Sequence, residues 1–151
     1  MATRSACCHC GVLVLECEGE PRKVSMCHCL ECQRRTGSPF GVAVFYERER
    51  VKVTRGAPRR YSRDSASGFP VGFHFCPDCG SNVWWEPARF PGLIGVALGA
   101  FADPTFPAPE QAVFMRHKHH WLELPREMAA FECNPPPRFS VPAAAGPSAA
   151  S

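Results

Sequence analysis

Seven cysteines fall in three tight groups, Cys8-His9-Cys10, Cys27-His28-Cys29-Leu30-Glu31-Cys32 and Cys76-Pro77-Asp78-Cys79, and nothing else in the chain restricts its fold so strongly. Thiols this close in sequence either pair as disulfides or converge on a metal ion. The chain opens with Met1-Ala2-Thr3-Arg4-Ser5 and runs into cysteines without the apolar stretch of a secretory signal, so a cytoplasmic address is expected. In that reducing compartment clustered cysteines hold metal rather than disulfides.

The third group has the form of a zinc knuckle, a tight turn aiming both sulfurs at one ion, with Gly80 supplying a positive-φ backbone. Cys8 and Cys10 stand at i and i+2, a spacing that serves one ion only if the chain turns there, and Gly11 provides for the turn. Each pair offers two ligands where structural zinc takes four, so Cys8, Cys10, Cys76 and Cys79 are expected to form one closed site. Cys27, Cys29 and Cys32 offer three. Three protein ligands with one exchangeable position mark catalytic zinc; the competing reading is a site closed by Cys7, Cys17 or a histidine. The expectation is two Zn²⁺ per chain, one structural and one catalytic.

The charge balance of +3 weakens on this reading, because seven thiolates and two divalent ions together remove three charges. Nucleic acid is therefore not expected as a partner. The run Arg55, Arg59, Arg60 and Arg63 reads as a solvated strand edge, with Glu47 and Glu49 nearby and no aromatic platform beside it. No apolar run approaches the roughly 20 residues of a membrane span.

With 45% hydrophobic residues in short Val- and Phe-rich segments broken by Gly, Pro, Asp and Ser, the chain reads as mainly β. Strands are expected over 12–17, 40–46, 51–54, 72–75, 82–85, 93–98, 112–115 and 121–124. One short helix is expected over Leu30–Thr36, stopped by Gly37 with Pro39 beyond. Residues 1–133 form one expected zinc-binding domain, and the Pro/Ala-rich stretch 134–151 a disordered tail.

The order of motifs, C-x-C-G, then C-H-C-x-x-C-x-R, then C-x-x-C-G, resembles the glutathione-dependent formaldehyde-activating enzyme family, which includes centromere protein V. The likeness continues through Gly37-Ser38-Pro39-Phe40, the segment from Gly56 to Tyr61, Ala97-Leu98-Gly99, Asp103-Pro104 and Trp121. It implies an Mss4-like fold of several short antiparallel sheets stabilised by zinc, and the same division of ligands into Cys8, Cys10, Cys76, Cys79 and Cys27, Cys29, Cys32. It also implies a carbon–sulfur lyase resembling S-(hydroxymethyl)glutathione synthase, which condenses a small thiol, typically glutathione, with formaldehyde or a related aldehyde. The alternative on the same scaffold is a non-catalytic interaction module for chromatin or protein.

Other residues divide between site and scaffold. Arg34 and Arg35 follow the central cluster within one helical turn and are candidates to hold a substrate carboxylate by paired hydrogen bonds. His28 stands between two ligands, where proton transfer competes with support of the turn. His117, His119 and His120 read as a polar loop before a strand at Trp121. Phe73 and Phe75 read as core, with Trp84 or Trp85 facing a cleft. Cys17 reads as a buried apolar residue and Cys133 as an exposed thiol.

Overall fold

A computed structural model describes residues 1–135, so the expected tail falls, from residue 136 onward, outside the described residues. Among the described residues the chain forms β1 (Thr3–Cys7), β2 (Val14–Glu18), β3 (Lys23–Cys27), α1 (Leu30–Thr36), β4 (Gly41–Glu47), β5 (Val51–Arg55) and β6 (Arg59–Arg63). It continues with β7 (Val71–Phe75), β8 (Asn82–Pro87), β9 (Leu93–Ala97), β10 (Gln111–Val113) and β11 (Ala129–Ala130). Among the described residues no helix is long and apolar enough to cross a membrane. The mainly β expectation holds.

Two sheets form. β1, β2 and β5 make a three-stranded sheet in the order β1-β2-β5, and the other strands make one of eight in the order β11-β10-β3-β4-β9-β8-β7-β6. Pairing is antiparallel except at β10, which lies parallel to both β3 and β11. The main core lies between the sheets: Ala6, Leu15 and Cys17 from the small one meet Val24, Val44, Tyr46, Val83 and Val96 from the large one. Each large apolar side chain buried there contributes about 1.5–3 kcal/mol.

Strand alternation then gives the large sheet its second face. On β4, Val44 and Tyr46 are in the core while Gly41, Ala43 and Phe45 line a cleft on the other side. On β3, Val24 is in the core, whereas Lys23, Ser25 and Cys27 line the cleft. The site therefore grows on one face of a sheet whose other face is the core.

Three sequence expectations are corrected. Residues 121–124 are not a strand: the Leu122 N–H donates to the His119 carbonyl, and Lys118 Nζ donates to the carbonyls of His119 and Leu122 at 3.0 and 2.6 Å. These local bonds occupy backbone groups that a strand would present to a neighbour, and Trp121 is left 59% exposed. Phe75 is only half-buried and lines a shallow groove with Tyr61 and Arg34, because β7 nears the edge of the sheet there. β1 and β3 form where no strand was expected; Cys17 is fully buried and Cys133 exposed, as expected.

Candidate metal centres and cleft

The first candidate metal centre is built from two turns of the same design. The Cys8 N–H donates to the Leu13 carbonyl and the Gly11 N–H to the Cys8 carbonyl; in the second turn Cys76 bonds Ser81 and Gly80 bonds Cys76 in the same way. Gly11 and Gly80 have φ of 78° and 76°, in the left-handed region that glycine enters without steric penalty. The turns bring all four sulfurs within 4.8 Å of one another. Cys8 Sγ lies 3.6 Å from Cys10 Sγ, which lies 3.7 Å from Cys76 Sγ. A tetrahedron with Zn–S bonds of about 2.3 Å has edges of about 3.8 Å, so the cage has the dimensions of zinc.

Its electrostatics call for a cation. Hydrogen bonds from the Ser81 hydroxyl and backbone hold the Cys79 thiol down to about 5. Although the Val12 N–H pulls the Cys10 thiol down, burial and the other three thiols push it up to about 12. Four thiolates at these separations repel one another strongly, and a divalent cation relieves that. Backbone N–H groups also aim at sulfur, as in Leu13 N–H to Cys8 Sγ at 3.2 Å.

The second centre lies where β3 ends and α1 begins. Cys29 caps the helix, its sulfur accepting from the Cys32 N–H at 3.3 Å, and the helix ends at Gly37 with φ of 64°. Cys27, Cys29 and Cys32 come within 4.8 Å of one another, and among the described residues no fourth Cys, His, Asp or Glu joins them. The thiols of Cys27 and Cys32 both donate to Cys29, which is held down to about 2, while the same contacts push Cys27 far up. The three sulfurs compete for the same hydrogen bonds, and the donor set suits a soft divalent cation such as zinc. Cys17 lies in the core, and His28 is fully buried with neither ring nitrogen hydrogen-bonded.

All three sulfur residues line a cleft of about 170 Å³. Its walls include Phe45, Phe73, Trp85 and Phe90, and its small residues include Ser25, Gly41 and Ala43. Gly95 lies directly under Trp85: a Cβ there would stand 2.5 Å from the indole Nε1, so only glycine lets the ring lie flat on the sheet. Arg35 crosses this wall with its guanidinium 4.3 Å from the Trp85 ring centre and donates to Asn82 Oδ1 at 2.8 Å. Arg34 does not line the cleft; it is 75% exposed and pairs with Glu31 at 3.3 Å.

The arginine run is divided by the fold. Arg55 bonds the Gly11 carbonyl and Arg60 lies over Gly72, whereas Arg63 lines the cleft, 5.3 Å above the Phe73 ring and 3.7 Å from Glu31. Arg63, Lys23 and Arg89 are cleft cations that sequence reasoning missed, since nothing local separates them from solvated charges. None of the three late histidines lines the cleft. His119 is 2.9 Å from Gln33 Oε1, and Gln33 Nε2 donates to the carbonyls of His28 and His117, so this loop is tied to α1.

Comparison with known proteins agrees with this arrangement. No curated protein gives a match to the chain. A crystal structure of a Rhodobacter sphaeroides protein superposes with a TM-score of 0.52 at 24% identity, covering 64% of this chain and 85% of that one, which establishes a shared fold. Residues 3–117, which contain both candidate metal centres and most of the cleft, match the description "Glutathione-dependent formaldehyde-activating enzyme", and the chain belongs to that family.

Proposed function

We propose that the chain is a zinc-dependent carbon–sulfur lyase of the S-(hydroxymethyl)glutathione synthase type, condensing a small thiol such as glutathione with formaldehyde or a related aldehyde. The observation that carries this is the convergence of Cys27, Cys29 and Cys32, without a fourth protein ligand among the described residues, at a cleft. On this reading Cys8, Cys10, Cys76 and Cys79 hold a structural zinc, and the trio holds the catalytic one. Zinc bound there supplies Lewis acidity, favouring the thiolate form of a substrate thiol or polarising an aldehyde oxygen.

The chain's own part is to bind and orient. In the forward direction the substrate sulfur forms a bond to the carbonyl carbon, the carbonyl π pair passes to oxygen, and the thiol proton ends on that oxygen. Arg35, fixed by Trp85 and Asn82, and Arg63, beside Glu31, place positive charge on the cleft wall for a substrate carboxylate. The aromatic wall excludes water from the reacting atoms. Free cysteines and thiol chemistry fit a reducing compartment such as the cytoplasm.

Exchange NMR on glutathione with ¹³C-formaldehyde tests the proposal. Zinc-loaded protein is expected to accelerate exchange, and Cys29→Ser to abolish the acceleration. No acceleration with glutathione or with any smaller thiol, by protein shown to carry both zinc ions, would sink it.

A further inference from the structure

The cleft's polarity and size say which thiol it suits. Most of its polar lining groups are already engaged: Gln111 Nε2 donates to Ser25 Oγ at 3.0 Å, Arg35 Nη1 to the neighbouring Asn82 at 2.8 Å, and Ser65 Oγ contacts Ser67 Oγ at 2.6 Å and the Phe69 carbonyl at 2.7 Å, while Arg35 Nε is buried without a partner. The rest of the wall is mainly aromatic and aliphatic. At about 170 Å³ the space resembles a cavity of about 150 Å³ that holds one benzene, and falls below the roughly 300–1,000 Å³ of pockets for larger ligands.

Charge narrows the class further. Among the described residues that line the cleft, Lys23, Arg35, Arg63 and Arg89 accompany one carboxylate, Glu31, which lies 3.3 Å from Arg34 and 3.7 Å from Arg63. Lys23 Nζ stands 5.5 and 5.3 Å from the rings of Phe45 and Phe90, which meet edge to face at 6.0 Å. An ammonium group entering here meets like charge and a carboxylate already engaged, and buried peptide amides lose water without gaining partners. A flat apolar ring gains apolar and edge contact with the wall instead, and one carboxylate meets the cationic border.

We infer that the preferred thiol is a small one with an aromatic body and a single carboxylate, in place of a peptide such as glutathione. The inference rests on the reading of Cys27, Cys29 and Cys32 as an open zinc site that takes the sulfur. Phe45 and Phe90 would then set specificity through the ring, and the bordering cations through the carboxylate.

Isothermal titration of the zinc-loaded full chain with para-(mercaptomethyl)benzoate, its carboxamide, mercaptoacetate and glutathione tests this, with indole fluorescence as a second readout of ring binding. The benzoate is expected to bind at least about tenfold more tightly than glutathione or mercaptoacetate, the gain of a buried ring, and severalfold more tightly than the carboxamide. Phe90→Ala, at a turn whose bonds are made by backbone, is expected to shrink the preference over mercaptoacetate severalfold. Glutathione binding as tightly as the benzoate, or an unchanged preference in Phe90→Ala, overturns the inference while the thiol–aldehyde lyase reading stands. Failure of every thiol to bind protein that carries both zinc ions overturns both.

Discussion

Gly95→Ala is the sharpest probe of how the cleft is built. The added methyl would stand 2.5 Å from Trp85 Nε1, 2.7 Å from Cε2 and 3.1 Å from Cζ2, and Trp85 is only 7% exposed, so the indole has little room to yield. Forcing a methyl into a packed site costs about 1–3 kcal/mol, while alanine's smaller unfolded-state entropy returns about 0.5 kcal/mol. The net loss is about 1.5 kcal/mol, a fall in Tm of about 6 °C for a domain of this size. Because Arg35 stacks on Trp85, thiol affinity should fall together with stability. Thermal melts of zinc-loaded protein, indole emission and thiol titration measure all three. Gly99→Ala is the control: a Cβ there meets nothing within 4 Å, so the same entropy is expected to raise Tm by about 2 °C while indole emission and thiol binding stay unchanged. A Gly95→Ala protein that melts, fluoresces and binds like the parent would refute the placement of Trp85 against the sheet.

Three further outcomes follow from the metal centres and the charged groups. Cys76→Ser should lose one of two zinc ions and several kcal/mol of stability; Cys29→Ser should lose the other ion at about 1 kcal/mol or less, because serine is itself a good helix cap, as metal analysis and melts will show. Burial pushes the Cys17 thiol up to about 12, so a thiol reagent at neutral pH should label exposed Cys7 and Cys133 and leave Cys17 unmodified in peptide mapping. Glu86 is buried enough to favour its neutral form, yet Arg48 at 2.8 Å holds its carboxyl below the ordinary 4.5. That stabilisation is fully present above 4.5 and is lost as pH falls through the lower folded-state value, so Glu86→Gln should cost about 0.5–1 kcal/mol at pH 7 and nothing at strongly acidic pH.

The cysteine groups and α1 were legible because their causes are local. Glycine after a cysteine pair, a capping thiol and a terminal Gly37 act over four or five residues, and the helix spans Leu30–Thr36 as expected. β3 was not legible, since its partners β4 and β10 lie on either side and Ser25 pairs with Gln111 across a long stretch of sequence. Arg34 and Arg35 show the limit within one helix. Consecutive helical residues point about 100° apart, so one arginine faces the cleft and the other solvent, and only the placement of α1 against β4 and β8 decides which. Arg63 was hidden among four similar arginines for the same reason.

His28 illustrates what alternation does inside the central cluster. Cys27 and Cys29 both reach the cleft, so the residue between them is driven the other way, into protein, where His28 is fully buried beside Phe40 at 5.8 Å between ring centroids. Burial, reinforced by Lys118 and His119, holds its pKa below the ordinary value, so the ring stays neutral. Neither nitrogen has a hydrogen-bond partner, and each unpaired buried polar group costs about 1–3 kcal/mol. The ring does not line the cleft, and its contribution is volume behind the turn. His28→Leu should therefore fold with equal or higher Tm, keep both zinc ions and retain thiol binding. If it instead loses the zinc held by Cys27, Cys29 and Cys32 while remaining folded, the ring is doing more than filling space, and the packing account of this turn is wrong.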